Sequence, residues 1–276
     1  MRGPGIALLA LLAACAPSPP ALDAGPDAGP DAGVDPCGAL FGVPGPQTGL
    51  DDLRCRPVCG CGDDAFTPRA WDEAALAALR ATVAIDPPQP LAADPYAAPA
   101  PAPDPEGTVC AVQFEGPAAY RLRTFTGAVE AASAGATVTH AGACGQCSTL
   151  ADLAVYAGTP DLTAPVRACG LSNVGDFAGL SACLEALGFS APCAQIWAFN
   201  TEHTRAACGA TCLRWLDRPY HLPDGSLNPC LVCDEVQSGA VFKAVAGRTR
   251  RNSGLANAMC RPCSEVVRLD HAYPGL

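Results

Sequence analysis

The chain has 276 residues, a formal net charge of −10 and 17 cysteines. Its negative charge is concentrated before residue 106, and residues 106–276 are close to neutral. The chain therefore lacks the basic surface that nucleic-acid binding requires, and we expect no nucleic-acid partner. The many cysteines instead favour an oxidising compartment outside the cytoplasm, where disulfides persist.

The first 14 residues are typical of an export signal. Arg2 provides the positive charge that begins such signals, and an apolar run from Ile6 to Ala14 follows it. This run is too short to remain as a membrane span, which needs about 20 residues. We therefore expect residues 1–14 to direct export and to be removed from the mature protein.

The end of this segment carries a second signal. The residues Leu12-Ala13-Ala14-Cys15 resemble the lipobox of bacterial lipoproteins. The resemblance implies cleavage before Cys15, acylation of its thiol and amine, and a location in the bacterial cell envelope, on the periplasmic or cell-surface side. Several acyl chains on Cys15 would anchor the protein firmly in the membrane. The alternative is an ordinary signal peptide that is cut at another position.

Residues 15–36 are predicted to form a disordered tether that begins at the acylated cysteine. Asp-Ala-Gly recurs every four residues, at Asp23, Asp27 and Asp31, among prolines. Such a segment has almost no apolar side chain to bury, and proline and glycine oppose both helix and sheet. We expect it to separate the membrane from the folded part of the chain.

Residues 37–85 are predicted to form a small module with one helix and four cysteines. Thr67 is the expected N-cap of the helix and Pro68 suits its first turn, ahead of a run rich in alanine and leucine. A proline-rich linker, residues 86–107, then leads to the main domain. The sequence allows three pairings of the four cysteines and does not choose among them, namely Cys37, Cys55, Cys59 and Cys61.

Residues 108–276 are predicted to form a small, disulfide-rich α+β domain with a few strands, about three helices and an irregular C-terminal part from Tyr220 onward. The sixteen cysteines that remain beside Cys15 are an even number, and we expect all or nearly all of them to pair. The expected strands are residues 108–114, 120–125 and 135–140, and the expected helices run from the cap Ser148 to Gly158, over 176–187 and over 192–216.

The first candidate site is Cys144-Gly-Gln-Cys147, with His140 just upstream. A cysteine at a helix start can have a lowered pKa, because the free amides and the helix dipole stabilise a thiolate. The stretch resembles the thioredoxin-like Cys-x-x-Cys in miniature, which implies a redox role for Cys144 and Cys147. No tryptophan precedes Cys144 and no alternating β-α pattern follows, so structural disulfides to other cysteines are the favoured interpretation.

The second candidate is a zinc site in the C-terminal part. Two Cys-x-x-Cys pairs could supply four thiolates, and Cys208 with Cys212 could bind a metal together with His203 or His221. Oxidation outside the cytoplasm competes for these thiols, so we predict disulfides and no metal. The two pairs are Cys230 with Cys233 and Cys260 with Cys263.

The third candidate is the basic stretch of residues 242–254. It combines the single lysine of the chain with three arginines in an otherwise near-neutral domain, and arginine suits bidentate contacts to phosphate, sulfate or carboxylate. The alternative is that these charges pair with Asp234 and Glu235 or are simply solvated. The candidate anion-binding residues are Lys243, Arg248, Arg250 and Arg251.

These features predict a lipid-anchored extracytoplasmic protein that serves as a binding or surface-interaction module. Its expected partners are the membrane, through Cys15, and a small anionic ligand or another envelope component. A thiol–disulfide oxidoreductase and a metal-dependent enzyme are the two alternatives. The sequence contains no phosphate loop, dinucleotide fingerprint, calcium loop or serine-nucleophile motif, and we predict no cofactor.

Overall fold

A computed structural model describes residues 39–60 and 65–275. The predicted signal peptide, the anchor Cys15 and the tether lie outside the described residues, as do Cys37 and Cys61. The described residues belong to one compact unit. None of the helices among them is long and apolar enough to cross a membrane.

The described chain combines short strands, most of them in its first half, with a run of helices after residue 149, which confirms the predicted α+β class. The strands are β1 (Leu40–Phe41), β2 (Cys55–Arg56), β3 (Val83–Ala84), β4 (Val109–Phe114), β5 (Ala119–Phe125), β6 (Thr137–Ala141) and β7 (Arg261–Pro262). The helices are α1 (Glu73–Ala81), α2 (Ala128–Ser133), α3 (Leu150–Gly158), α4 (Thr163–Ser172), α5 (Phe177–Ala186), α6 (Ala191–Leu213), α7 (Pro229–Gln237) and α8 (Gly239–Ala246).

The main sheet has four strands in the order β3-β5-β4-β6. β4 and β5 form an antiparallel hairpin in which Phe114 lies opposite Tyr120, and β6 pairs antiparallel with the other edge of β4. All three strands expected in the main domain are therefore present. A smaller sheet in the order β2-β1-β7 joins the first cysteine-containing segment to the C-terminal region.

Helix starts follow the side chains that satisfy free backbone amides. Asp72, and not the expected Thr67, caps α1 by accepting a hydrogen bond from the amide of Ala75 at 2.8 Å. Thr149 caps α3 in place of the expected Ser148, because the Ser148 hydroxyl contacts His140 and the amide of Gly145. The start of α5 agrees with the sequence pattern, with Asp176 as its cap.

The C-terminal part is more regular than the sequence analysis predicted. Two helices, α7 and α8, occupy residues 229–246, where mostly irregular chain was expected. Asn228 caps α7 by accepting hydrogen bonds from the amides of Cys230 and Leu231, and Pro229 occupies the first turn. Asn-Pro is a helix-start signal that the adjacent Cys-x-x-Cys obscured. Helices α2 and α4 were likewise not predicted.

The proline-rich residues 86–107 lie against the same unit. The amide of Leu91 donates to the Gln195 side-chain oxygen at 2.6 Å, and the Gln195 amide group donates to the Leu91 carbonyl at 3.1 Å. Tyr96, on a 3₁₀ turn at Pro95–Ala97, donates a hydrogen bond to Asn200 on α6 at 2.7 Å. The segment is therefore packed onto the domain at these points and is not a hinge there.

The largest apolar core lies where the main sheet meets the helices. It contains buried side chains of β4, β5, α1, α3, α5 and α6. Leu76 and Leu79 of α1 belong to it, so the predicted N-terminal module shares its core with the predicted main domain. Disulfides from β2 and from Cys59 to the C-terminal region reinforce this connection. Two other disulfides, Cys208–Cys233 and Cys212–Cys230, hold α7 beside α6, where the candidate site is found.

Candidate functional site

Seven disulfides connect fourteen cysteines in the described part of the chain. They indicate an oxidising, extracytoplasmic location, because cytoplasmic proteins rarely keep such bonds. Their sequence separations run from 14 to 205 residues, so they link distant segments as well as neighbours. The pairs are Cys55–Cys260, Cys59–Cys263, Cys110–Cys144, Cys147–Cys193, Cys169–Cys183, Cys208–Cys233 and Cys212–Cys230.

The two cysteines of the first candidate site are bonded to different partners. Cys144 pairs with Cys110 on β4, whereas Cys147 pairs with Cys193 at the start of α6. Both sulfurs of the second bridge belong to fully buried residues. This connectivity is that of two structural bridges and not of one redox couple.

His140 lies close to this segment, but its imidazole ring is neutral. Its ring is fully buried, with Nε2 2.7 Å from the Ser148 hydroxyl and Nδ1 2.9 Å from the Ala141 carbonyl. Burial, together with the positive charge of Arg248, lowers the pKa of His140 to about 3. A neutral imidazole cannot provide the cation that would lower a thiol pKa, so the predicted role of His140 in redox chemistry lacks a structural basis.

The sulfurs of the second candidate site are not available to a metal. Cys230 and Cys233 are bonded to α6, through Cys212 and Cys208 respectively. Cys260 and Cys263 are bonded to Cys55 and Cys59. Among the described residues, no group of three or more histidine, cysteine or acidic side chains is arranged to hold a metal ion.

The four cationic residues of the third candidate site do not form one cluster. Arg248 is completely buried. Its guanidinium group donates to the carbonyl oxygens of Thr139, Cys147 and Ser148 and to the hydroxyls of Thr139 and Ser253. The side chain thus ties β6 to the loop before α3 and to the C-terminal region. It has a structural role, and the prediction that it contacts a ligand is not supported by its position.

Arg250 is also mostly buried, and its guanidinium group is used within the fold. It donates to the carbonyl oxygens of Ala256 and Thr159 and lies 5.6 Å from the centre of the Tyr156 ring. Burial lowers its pKa to about 10, so it remains positively charged at neutral pH. Arg250 can therefore contribute positive potential to the neighbouring cleft even though its hydrogen bonds are directed elsewhere.

Lys243 and Arg251 reach a cleft formed by α3, α6, α7, α8 and the segment after α8. The cleft has a volume of about 140 Å³. Arg251 donates to the carboxylates of Glu235 and Glu265, each at 3.0 Å. Lys243 is exposed and forms no hydrogen bond or ion pair with the described residues. The lining residues are Tyr156, Leu162, Thr163, Trp197, Asn200, Asp234, Glu235, Gly239, Phe242, Lys243, Thr249, Arg250, Arg251, Asn257, Met259 and Arg261.

One wall of the cleft is aromatic. The rings of Trp197 and Phe242 meet edge to face with centroids 4.7 Å apart. The indole NH of Trp197 donates to the Tyr156 hydroxyl at 3.0 Å, which fixes the orientation of the indole. This wall offers an apolar surface to a ligand, and the remaining lining includes four cationic and two acidic side chains.

The acidic side chain of Asp234 lies in the same lining. Its Oδ1 accepts hydrogen bonds from the Thr204 hydroxyl and, at 3.5 Å, from the Asn200 amide group. No described residue donates to Oδ2. Burial raises the pKa of Asp234, and the neighbouring charge of Glu235 raises it further. The cleft therefore combines a half-buried carboxyl group with several cationic side chains.

The basic stretch of the sequence includes three residues of the lining, Lys243, Arg250 and Arg251, but it does not indicate the aromatic wall. Trp197 falls within the helix predicted over 192–216, and the sequence presents Asp234 only as a counter-charge for the basic stretch. Arg261, which forms an ion pair with Glu235, was not singled out. No spacing in the sequence connects these residues, because α6, α7, α8 and the C-terminal segment each supply a part of the cleft.

Residues 177–269 match a family of unknown function, DUF8771. No curated protein and no solved structure matches the chain. The matched segment runs from α5 past β7 and includes most of the cleft lining, with Tyr156, Leu162 and Thr163 lying before it.

Proposed function

We propose that this protein is a lipid-anchored, extracytoplasmic binding module that takes a small anionic ligand in the cleft beside Lys243. The observation that carries the proposal is the environment of this lysine. Glu235 and Glu265 contact Arg251, and Arg261 also contacts Glu235, whereas the Lys243 ammonium group forms no ion pair with the described residues. It is the cation of the cleft that is left for a ligand.

The electrostatic setting of Lys243 supports the same proposal. The protein atoms around the exposed ammonium group remove part of its hydration and lower its pKa, the charge of Arg251 lowers it further, and the charge of Glu235 acts in the opposite direction. A bound anion would reverse this effect, because an opposite charge close to the ammonium group favours its protonated form. The buried cation Arg250 would add to the attraction.

The ligand is proposed to be a small molecule because of the size and composition of the cleft. Its volume of about 140 Å³ is close to that of an apolar cavity of ~150 Å³ that holds benzene, so it admits one ring, and the charged end of the ligand would lie at the open side of the cleft. Trp197 and Phe242 would contact an apolar part of the ligand, and Lys243 would contact the charged part. We use 3-phenylpropanoate as the probe, since it combines a ring with one carboxylate.

The experiment is titration calorimetry of the full chain, purified in detergent, with 3-phenylpropanoate. We expect saturable binding that weakens at least tenfold in the variant Lys243→Gln, which removes the charge and keeps most of the side-chain length. The matched control is Arg218→Gln, at an exposed position that does not line the cleft. Equal affinities for the wild type and Lys243→Gln would refute the site, and so would a wild type that binds no aromatic carboxylate.

A second readout uses the fact that Lys243 is the only lysine in the chain. An amine-acetylating reagent should modify this side chain more slowly when 3-phenylpropanoate is bound, as followed by the mass of the peptide that contains it. If saturating 3-phenylpropanoate does not slow the acetylation of Lys243, the bound carboxylate does not contact this lysine.

The proposed anchor is tested separately. An alkyne-bearing fatty acid supplied to the producing bacterium should label the wild type and not the variant Cys15→Ala, which should also move from the membrane fraction to the soluble fraction. Labelling of Cys15→Ala equal to that of the wild type would refute acylation at this residue.

A further inference from the structure

The cleft contains an acidic group that an anion alone would not use. Asp234 lies on α7, and its carboxyl group is held in place by Thr204 and Asn200, both on α6. These contacts engage Oδ1, and Oδ2 receives no hydrogen bond from the described residues. Oδ2 remains accessible to solvent, so a donor or a cation that enters the cleft can reach it.

The nearby His203 lowers the pKa of Asp234, so the carboxyl group has one cationic neighbour among the described residues. Asp234 forms no ion pair, although four cationic side chains line the same cleft. Arg251 and Arg261 instead contact Glu235, which directly follows Asp234 in the chain. The neighbouring charge of Glu235 makes an ionised Asp234 still less favourable, and that penalty would be offset by a bound ammonium group.

Two further features of the cleft complement different parts of one molecule. The cationic side contains Lys243, which suits a carboxylate. The aromatic wall of Trp197 and Phe242 suits an apolar side chain. The ring of a ligand could pack edge to face against this wall, in the geometry that Trp197 and Phe242 already adopt with each other. An ammonium group, a carboxylate and an apolar ring are the three parts of an aromatic amino acid.

We propose that the cleft binds a free zwitterionic amino acid with an aromatic side chain, whose ammonium group contacts Asp234 and whose carboxylate contacts Lys243. The proposal rests on the anion-binding function above and adds the chemical class of the ligand. The ring of the ligand packs against Trp197 and Phe242. Asp234 then acts as the specificity-determining residue, because it distinguishes a zwitterion from a simple carboxylate.

The experiment compares three ligands of similar shape by titration calorimetry on the full chain. L-phenylalanine carries both charges, 3-phenylpropanoate lacks the ammonium group, and 2-phenylethylammonium lacks the carboxylate. We expect phenylalanine to bind at least tenfold more tightly than either of the other two.

In the variant Asp234→Asn, the affinity for phenylalanine should fall at least tenfold. The affinity for 3-phenylpropanoate should stay the same or rise, because the substitution removes a charge that repels its carboxylate. The matched control is Asp217→Asn, an exposed residue outside the cleft.

The outcomes separate this proposal from the function on which it rests. If 3-phenylpropanoate binds as tightly as phenylalanine in the wild type, the anion site stands and the zwitterion proposal is refuted. If none of the three ligands binds the wild type, both proposals fail. The comparison of the three ligands needs no variant. It therefore tests the zwitterion proposal even if Asp234→Asn does not fold.

Discussion

The guanidinium group of Arg248 donates a hydrogen bond to the carbonyl oxygen of Cys147 at 3.0 Å, across 101 residues of sequence. Cys147 is itself bonded to Cys193, so this contact joins the basic stretch to α6 through one buried bridge. Four more hydrogen bonds from the same guanidinium group reach Thr139, Ser148 and Ser253. Arg248 thus serves the stability of the fold.

Replacing Arg248 by methionine should strongly destabilise the protein. The variant leaves three buried carbonyl oxygens without these donors, and we expect a loss on the order of 3 kcal/mol in the free energy of unfolding. Urea unfolding with the disulfides intact measures the change. The control Arg214→Met, at an exposed position, should cost less than about 0.5 kcal/mol. A similar small loss for Arg248→Met would contradict the structural role.

Two glycines should respond in opposite ways to substitution by alanine. A Cβ on Gly145 would lie 2.4 Å from the Val245 carbonyl oxygen and 2.7 Å from the Gly247 amide, so Gly145→Ala should destabilise the fold by about 2 kcal/mol. A Cβ on Gly209, within α6, would meet nothing within 4 Å, and Gly209→Ala should stabilise by about 0.5–1 kcal/mol. Thermal unfolding of the two variants checks the sign, and equal effects would be inconsistent with the close approach at Gly145.

Acid should destabilise the protein partly through His140. Its pKa is about 3 in the folded state, below its ordinary value of 6.5, because burial and the charge of Arg248 oppose protonation. Below pH 6.5 the unfolded chain therefore binds the additional proton, and stability falls as the pH decreases toward 3.

The variant His140→Gln isolates this contribution. The difference in unfolding free energy between wild type and variant should shrink by an amount on the order of 3 kcal/mol between pH 7 and pH 4. Urea unfolding at several pH values provides the measurement. Parallel pH profiles for the two proteins would show that His140 is not buried in its neutral form.

The two bridges of the Cys-Gly-Gln-Cys stretch predict a characteristic tryptic fragment. Without reduction, residues 81–121, 124–167 and 168–205 should remain joined as one species of three peptides, linked by the Cys110–Cys144 and Cys147–Cys193 bonds. Blocking free thiols before digestion prevents exchange, and the reduced sample provides the control. If Cys144 and Cys147 were instead bonded to each other, residues 124–167 would be released as a single peptide. That result would support a redox couple of these two cysteines.

Several parts of this fold follow from the sequence by itself. Short-range patterns predicted β4, β5, α5 and most of α6, because periodic apolar residues and caps act within a few residues of one another. The number of cysteines predicted an oxidising location, since that conclusion needs only their chemistry. Asn228-Pro229 is a helix-start signal of the same local kind, although the region from Tyr220 onward was predicted to be irregular.

Other features were decided only by the tertiary structure. Cys55 and Cys260 are 205 residues apart, and which cysteines pair depends on distances between segments that sequence spacing does not fix. Arg248 and Arg251 look equivalent in the basic stretch, yet packing buries the first and leaves the second at the cleft. Asp234 and Trp197 face the same space only because two helices are held side by side by disulfides. Local preferences therefore determined the elements, whereas long-range packing determined which of their side chains meet.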